Sequence, residues 1–244
     1  MTQTARPQMF GFLAGLVLAA GLVLAARVVS RAWLKVAEPQ TVTVSGSSRR
    51  TVHSDLILWK AGFSTEAGSL LEAQNSLKQH RVHVEEFLAT QGVTNAIISS
   101  IAITPLKERA AAGESDSRTA GYRLSQTVEI RSTEVARILG LDQSSMTLVE
   151  RGVAFVPMTP QFIYTGAADA KIEMLAEATR DARQRAEQIA REGGRRVKDL
   201  RSARMGVFQI TPLYSGETSW DGMNDTTAAD KSIHSVVNAQ FTIE

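Results

Sequence analysis

Hydrophobic and polar positions follow three rhythms along this chain: one unbroken apolar run, several two-residue alternations and two helical stripes. Residues 9–26 carry no charged or polar side chain, and no later stretch compares with them. Residues 41–44 (TVTV) alternate as a strand that meets a stop at Ser45-Gly46. Ile57, Trp59, Ala61 and Phe63 share one face of a second strand, and Leu56 and Leu58 make its other face apolar, which predicts cover on both sides. A helix follows: Ser69 and Glu72 have capping-box spacing, Leu70, Leu77 and Val84 recur on one face with Ala73, Phe87 and Leu88 beside them, and Gly92 ends it.

Ile101 and Ile103 lead a strand into Pro105. Tyr122, Leu124, Val128 and Ile130 alternate against polar neighbours as a half-exposed strand, and residues 106–120 between the two are predicted to be a mobile hairpin loop. Thr133 is placed to cap a short helix over 134–139 closed by Gly140, and residues 148–156 read as a strand closed by Pro157. The clearest helix is 167–192, whose narrow face holds Ile172, Leu175, Ala178 or Thr179, Ala182, Ala186, Ile189 and Ala190, with Gly193-Gly194 as its end. Its acids fall early and its arginines late, in keeping with the helix dipole. A strand region over 196–213, a polar loop over 214–231 and a final strand carrying Ile233, Val237, Ala239, Phe241 and Ile243 complete the chain. The expected class is α+β, a largely antiparallel sheet packed against two long helices, with residues 1–38 as anchor and linker and 39–244 as one domain.

A bilayer core needs about 20 apolar residues in a helix. The run reaches that length over residues 9–29, because the Arg27 side chain can snorkel to the interface. A cleaved signal peptide has a basic start, an apolar stretch of about 7–15 residues and small residues before the cut. Arg6 and the amino terminus supply the start, but the run is longer, Ala19-Ala20-Gly21 lies inside it, and Leu24 spoils a cut after Ala26. Length favours a retained anchor, with cleavage as the alternative. Orientation is divided. Arg27, Arg31 and Lys35 after the run place the large domain in the cytoplasm by the positive-inside count, whereas the short basic leader is that of an ordinary export signal.

Composition narrows the chemistry. The absence of cysteine excludes disulfides, thiolate catalysis and Cys-ligated metal centres. Lys and Arg total 27 against 25 Asp and Glu, and the resulting net charge of +2 is too mild to point to nucleic acid. His80, His83 and Glu86 at i, i+3 and i+6 are the only candidate metal ligands, a weak set with the plainer reading of a solvated helix face, and no cofactor is expected. His53 and His234 are the remaining histidines, and no paired nucleophile, Gly-x-Ser-x-Gly elbow, His-Glu-x-x-His or phosphate loop accompanies them. No catalytic residue is assigned, and an enzyme is not expected. Residues 180–204 hold nine Lys or Arg against four acids, a helix face and its exit or a surface for an acidic phospholipid or a partner's acidic loop. Residues 214–230 carry Glu217, Asp221, Asp225 and Asp230 with no base, and Trp220 among them is an anchoring type of side chain. Trp220, Asp221, Asp225, Arg195 and Arg196 are the interface candidates for self-association, possible as a closed ring.

The chain also resembles the SIMPL family, which includes periplasmic immunogenic proteins of Gram-negative bacteria. The similarity lies in Val42-Thr43-Val44-Ser45-Gly46, Ser54-Asp55, the Ala73/Asn75 helix leading to Gln91-Gly92-Val93, Gly121-Tyr122-Arg123-Leu124 with Val128-Glu129-Ile130, and above all the alanine-spaced helix from Ala176 to Ala190 followed by Gly193. The resemblance covers residues 40–244. It implies an α+β domain, usually exported, with oligomeric members and links to stress tolerance or signalling, and it supplies no catalytic residues. The expectation is therefore an inner-membrane protein with a single-pass anchor, its soluble domain in the periplasm as an oligomeric structural or interaction module. The alternatives are secretion after cleavage, a cytoplasm-facing adaptor in stress signalling, and a metal- or small-molecule-binding protein.

Overall fold

The computed structural model of the chain describes residues 7–37, 40–108 and 118–244. Its elements run α1 (Pro7–Ala37), β1 (Thr41–His53), β2 (Leu56–Ala67), α2 (Leu70–Thr90), β3 (Ile97–Ile98), β4 (Ala102–Lys107), β5 (Thr119–Ser132), α3 (Val135–Ser144), α4 (Met146–Glu150), β6 (Ala154–Pro157), β7 (Gln161–Ile163), α5 (Ala167–Glu192), β8 (Val197–Met205), β9 (Gln209–Pro212) and β10 (Asp230–Ile243). One sheet has the order β3-β5-β2-β6, with β4 also on β5 and β7 also on β2; the other has the order β1-β10-β8, with β9 also on β10. The class is α+β with antiparallel pairing, as the hydrophobic pattern predicts. The chain divides into two compact units, one of Ser47–Ala178 with Met205–Val236, the other of Met1–Gly46, Thr179–Arg204 and Val237–Glu244.

In the first unit β2 is the organising strand, paired along its length with β5 and on its other side with β6 and β7. Its alternation works as expected on one face: Ile57, Trp59, Ala61 and Phe63 are fully buried among Leu77, Val84 and Phe87 of α2, Ile138 and Leu141 of α3, and Leu148 of α4. Leu56, Leu58, Lys60 and Gly62 on the opposite face are only half-buried, so the expectation of full cover on both sides does not hold. Trp59 stacks on Phe155 and donates from Nε1 to Asp142 Oδ1 at 2.5 Å. Gly121 has a steric reason to lack a side chain: a Cβ there would lie 2.5 Å from the Ala67 carbonyl oxygen. Pro105 sits in β4, at the sheet margin where a missing N–H is tolerated.

Helix α2 begins at the expected cap, with Ser69 Oγ accepting from the Glu72 N–H, although Leu70 at its first turn is exposed and the core stripe starts at Ala73. Several other boundaries differ from the pattern reading. β1 does not stop at Ser45-Gly46 but continues to His53, because Ser48 Oγ donates to Glu177 and Arg50 bridges Glu173 and Glu177. Thr133 does not cap α3; Glu134 occupies the cap position without a side-chain bond, and the helix passes through Gly140 because Ile138 and Leu141 are both buried. Residues 148–150 are helical in α4, and the strand begins only at Ala154, after Gly152 at φ 81° has turned the chain. The 106–120 hairpin forms, with the Glu108 N–H donating to the Arg118 carbonyl, while the centre of that segment lies outside the described residues. β3 and β7 are short pairings that the pattern did not announce.

Helix α5 occupies the expected span, but its buried face is Ala170, Met174, Ala178, Ala182, Ala186 and Ala190. A strict spacing of four selects one ridge of the helix, and it leaves Ile172 and Ile189 exposed at 71% and 53%. In the second unit, the Ile243 N–H donates to the Gln40 carbonyl and Ser45 Oγ to Asn238 Oδ1, while Arg196 and Glu244 exchange two backbone hydrogen bonds. Helix α1 belongs to this unit, and its side chains from Gly11 to Arg31 are all exposed.

Candidate functional site

The polar stretch between β9 and β10 is held in place by a buried ion pair. Counting back by twos from Ile233 puts Lys231 on the inward face of β10, and the structure buries it to 1% exposure. Its Nζ donates to Asp225 Oδ2 at 2.8 Å and to the Asp225 carbonyl at 2.6 Å. The carboxylate also accepts from Thr227 Oγ1 and from the N–H groups of Thr227 and Ala228. Burial alone would raise the Asp225 pKa, but the Lys231, Thr227 and Ala228 donors together outweigh it and lower the value from 3.8 to about 2. Asp225, an interface candidate by sequence, is thus an internal clamp with its charge satisfied inside the unit. Lys231 lies in a strand, where the sequence pattern put the end of a loop.

Further bonds complete the pinning. Gln209 bonds the Ser219 backbone through both ends of its amide, the Ile210 N–H donates to Met223, the Phe162 N–H to Thr226, and the Ser54 N–H to Ala229. On this fixed loop Tyr214 is 95% exposed and Trp220 90% exposed. Tyr214 escaped the sequence reading. It sits third in a turn closed by the Ser215 N–H on the Pro212 carbonyl, and its φ of 67° is one that glycine adopts far more readily. Proline typically marks a turn from its second position, and Pro212 holds the first, so the sequence carries no plain signal for this one. Asp221 accepts a hydrogen bond from Ser219 Oγ, and Asp230 Oδ1 lies 2.7 Å from His53 Nδ1.

At the end of α5, the Gly194 N–H bonds the Arg191 carbonyl and the Arg195 N–H bonds the Ala190 carbonyl, with Gly194 at φ 68°. This is a Schellman ending, the same device that closes α2 at Gly92. It turns Arg195 and Arg196 back beside Arg191, and the three line a cleft of about 530 Å³ with Glu187, Gly194 and Val197.

The histidine candidates diverge. His80 and His83 lie half-buried on α2, each with an Nδ1 that has no hydrogen-bond partner. Burial, foremost, and the nearby His83 lower the His80 pKa below 6.5, against a raising backbone hydrogen bond at Ser64. Glu86 is nearest Arg151, at 3.9 Å. Among the described residues no group of three His, Asp or Glu side chains converges to hold a metal. His234 is lowered by burial and then by the Arg49 charge. Ser54 beside His53 is fully buried, with no hydrogen-bond partner for its hydroxyl oxygen among the described residues.

No curated protein matches this chain. The family model named SIMPL, described as a protein of unknown function (DUF541), matches residues 42–241, from the second residue of β1 almost to the end of β10. With that match covering most of the chain, the chain belongs to the SIMPL family.

Proposed function

We propose that this protein is a membrane-anchored, non-enzymatic interaction module of the cell envelope, with its folded part facing the periplasm, and that copies associate through the loop carrying Tyr214 and Trp220. The observation that carries the anchor is helix α1, whose segment Gly11–Arg31 is apolar, long enough to cross a bilayer, and exposed throughout. A surface of that kind is unfavourable in water and favourable in hydrocarbon.

Self-association is supported by the pinned loop. Rigid, exposed aromatic side chains are the usual centres of interface energy, and a loop already held by hydrogen bonds loses little freedom on docking. Tyr214 in a strained conformation is the pattern expected where a side chain is kept for contact rather than for stability. The acidic character of the loop gives less support, because Asp225 is neutralised by Lys231 and Asp230 faces His53. An anchor on each copy would place the copies in one plane and raise their effective concentration.

Topology is tested by fusing, after Glu244, a reporter active only outside the cytoplasm and, separately, one active only inside. The exported reporter should be active. A silent exported reporter with an active internal one reverses the side and supports a cytoplasm-facing adaptor, the reading favoured by Arg27, Arg31 and Lys35. Assembly is tested by light scattering on the full chain in non-ionic detergent. A multimer that Tyr214→Ala with Trp220→Ala weakens is expected, and a clean monomer at micromolar concentration overturns the assembly part of the proposal.

A further inference from the structure

Three arginines gather at one helix end, and among the described residues none of them has an ion-pair partner. Arg191, Arg195 and Arg196 are exposed and line the 530 Å³ cleft. Of the acids close by, Glu187 holds Arg183 at 3.0 Å, Glu192 accepts from the Gln188 amide at 3.3 Å, and Glu244 holds Lys198 at 3.3 Å. The other bases of α5 show the contrast, since Arg185 pairs with Asp181 at 2.9 Å. The cleft therefore carries three uncompensated guanidinium charges in a volume within the roughly 300–1,000 Å³ range of ligand sites.

The positions of these charges are fixed by backbone geometry. The Schellman ending locks Gly194 and Arg195 onto the last turn of α5, and the paired backbone bonds between Arg196 and Glu244 lock the next residue onto the segment that follows β10. A helix C-terminus would ordinarily repel an anion through its free carbonyls. Here the carbonyls of Ala190 and Arg191 are occupied by the N–H groups of Arg195 and Gly194, which removes much of that repulsion. Guanidinium groups present a planar fork of donors that matches phosphate oxygens, and three around one cleft can surround a single tetrahedral group.

We propose that the Arg191–Arg195–Arg196 cleft is a binding site for a phosphate group, either the phosphodiester of an anionic phospholipid headgroup or a free phosphate anion. The site uses no residue of the Tyr214–Trp220 loop, and binding there does not require that copies associate.

The test uses the full chain in non-ionic detergent, titrated calorimetrically with inorganic phosphate and, separately, with dihexanoyl phosphatidylglycerol below its micellar concentration. Saturable binding of at least one probe is expected, and the tighter of the two identifies the source of the phosphate. Arg195→Ala with Arg196→Ala should weaken that binding about tenfold or more, since charged hydrogen bonds to phosphate are lost. Arg201→Ala with Arg204→Ala removes the same charge from β8 outside the cleft and should leave it within about twofold, as expected for exposed charges at a distance. Circular dichroism confirms that both variants fold. Absence of saturable binding by both probes overturns the proposal, and so does an equal loss in the two double variants, which would reduce the effect to net charge.

Discussion

Replacing Asp225 by alanine should be among the most damaging single changes in the chain, although the residue lies in a segment of polar composition. The substitution leaves the Lys231 ammonium at 1% exposure with only the residue 225 carbonyl at hydrogen-bond distance. Removing one partner of a buried ion pair typically costs about 3–5 kcal/mol. For a chain of this size each kcal/mol moves the melting temperature by roughly 2–4 °C, so a fall of roughly 6–20 °C is expected. Lys231→Met should be milder, because the carboxylate keeps the three donors from Thr227 and Ala228. The double variant should recover most of the loss, since no charge is then left buried. Thermal denaturation of the full chain in non-ionic detergent, followed by circular dichroism, measures all three. A shift under about 2 °C for Asp225→Ala, or a double variant as unstable as the two losses added, would refute the clamp.

The same pair gives a pH signature. Its carboxyl is ordinarily at 3.8 and is held at about 2 in the folded chain, so the folded state takes up this proton less readily than the unfolded one. The stabilisation is therefore fully present above the unfolded value and is lost as pH falls from about 4 through about 2. At about 1.36 kcal/mol for each pH unit, the displacement is worth roughly 2–3 kcal/mol. Denaturation midpoints should drop over that interval in the wild type, and Asp225→Ala should flatten that part of the decline.

Three further outcomes follow from particular contacts. Gly121→Ala places a methyl 2.5 Å from the Ala67 carbonyl and should destabilise by about 1–3 kcal/mol, read as a lower denaturation midpoint with unchanged helix content. Trp59→Phe removes the donor to Asp142 and should cost about 1–2 kcal/mol, and Asp142→Asn, which retains an acceptor, should cost less. Tyr214→Gly should raise stability by up to about 1 kcal/mol by relieving the positive φ while weakening self-association in light scattering; a loss of stability would show that the ring holds the loop from within.

The elements were legible where one local rule governed them. Ser69, Glu72 and Gly92 delimit α2 because capping is a matter of a few consecutive residues, and the alternation through Ile233, Val237 and Phe241 marks β10 because one face is buried throughout. The reading failed where distant partners decide. Ser45-Gly46 looks like a turn until Glu173 and Glu177, more than a hundred residues away, hold Ser48 and Arg50 in an extended strand. The face of α5 was misplaced for a related reason: its isoleucines carry the hydrophobicity, but the alanines spaced by four allow close approach, and packing selected the alanines. Of the candidate surface, Trp220 was legible by type alone, whereas Tyr214 was hidden because its significance lies in a backbone angle.

Lys231 is a case in which strand parity and hydropathy disagree. An alternation counted by hydropathy ends at Ile233, since lysine scores as a solvent residue, yet parity places Lys231 on the same inward face as Ile233 and Val237. A lysine in that register is buried at a high cost unless its charge is paired, and the preceding loop brings the carboxylate, through Asp225. Once Asp225 folds inward, the backbone of that loop is tied at both ends, by Leu213 to Asp230 and by Ala229 to Ser54. Its bulky aromatic side chains, Tyr214 and Trp220, are then left pointing into solvent from a fixed base. The buried polar pair and the exposed aromatic pair are thus two consequences of one arrangement, and any change that releases the first should also abolish the preorganisation of the second.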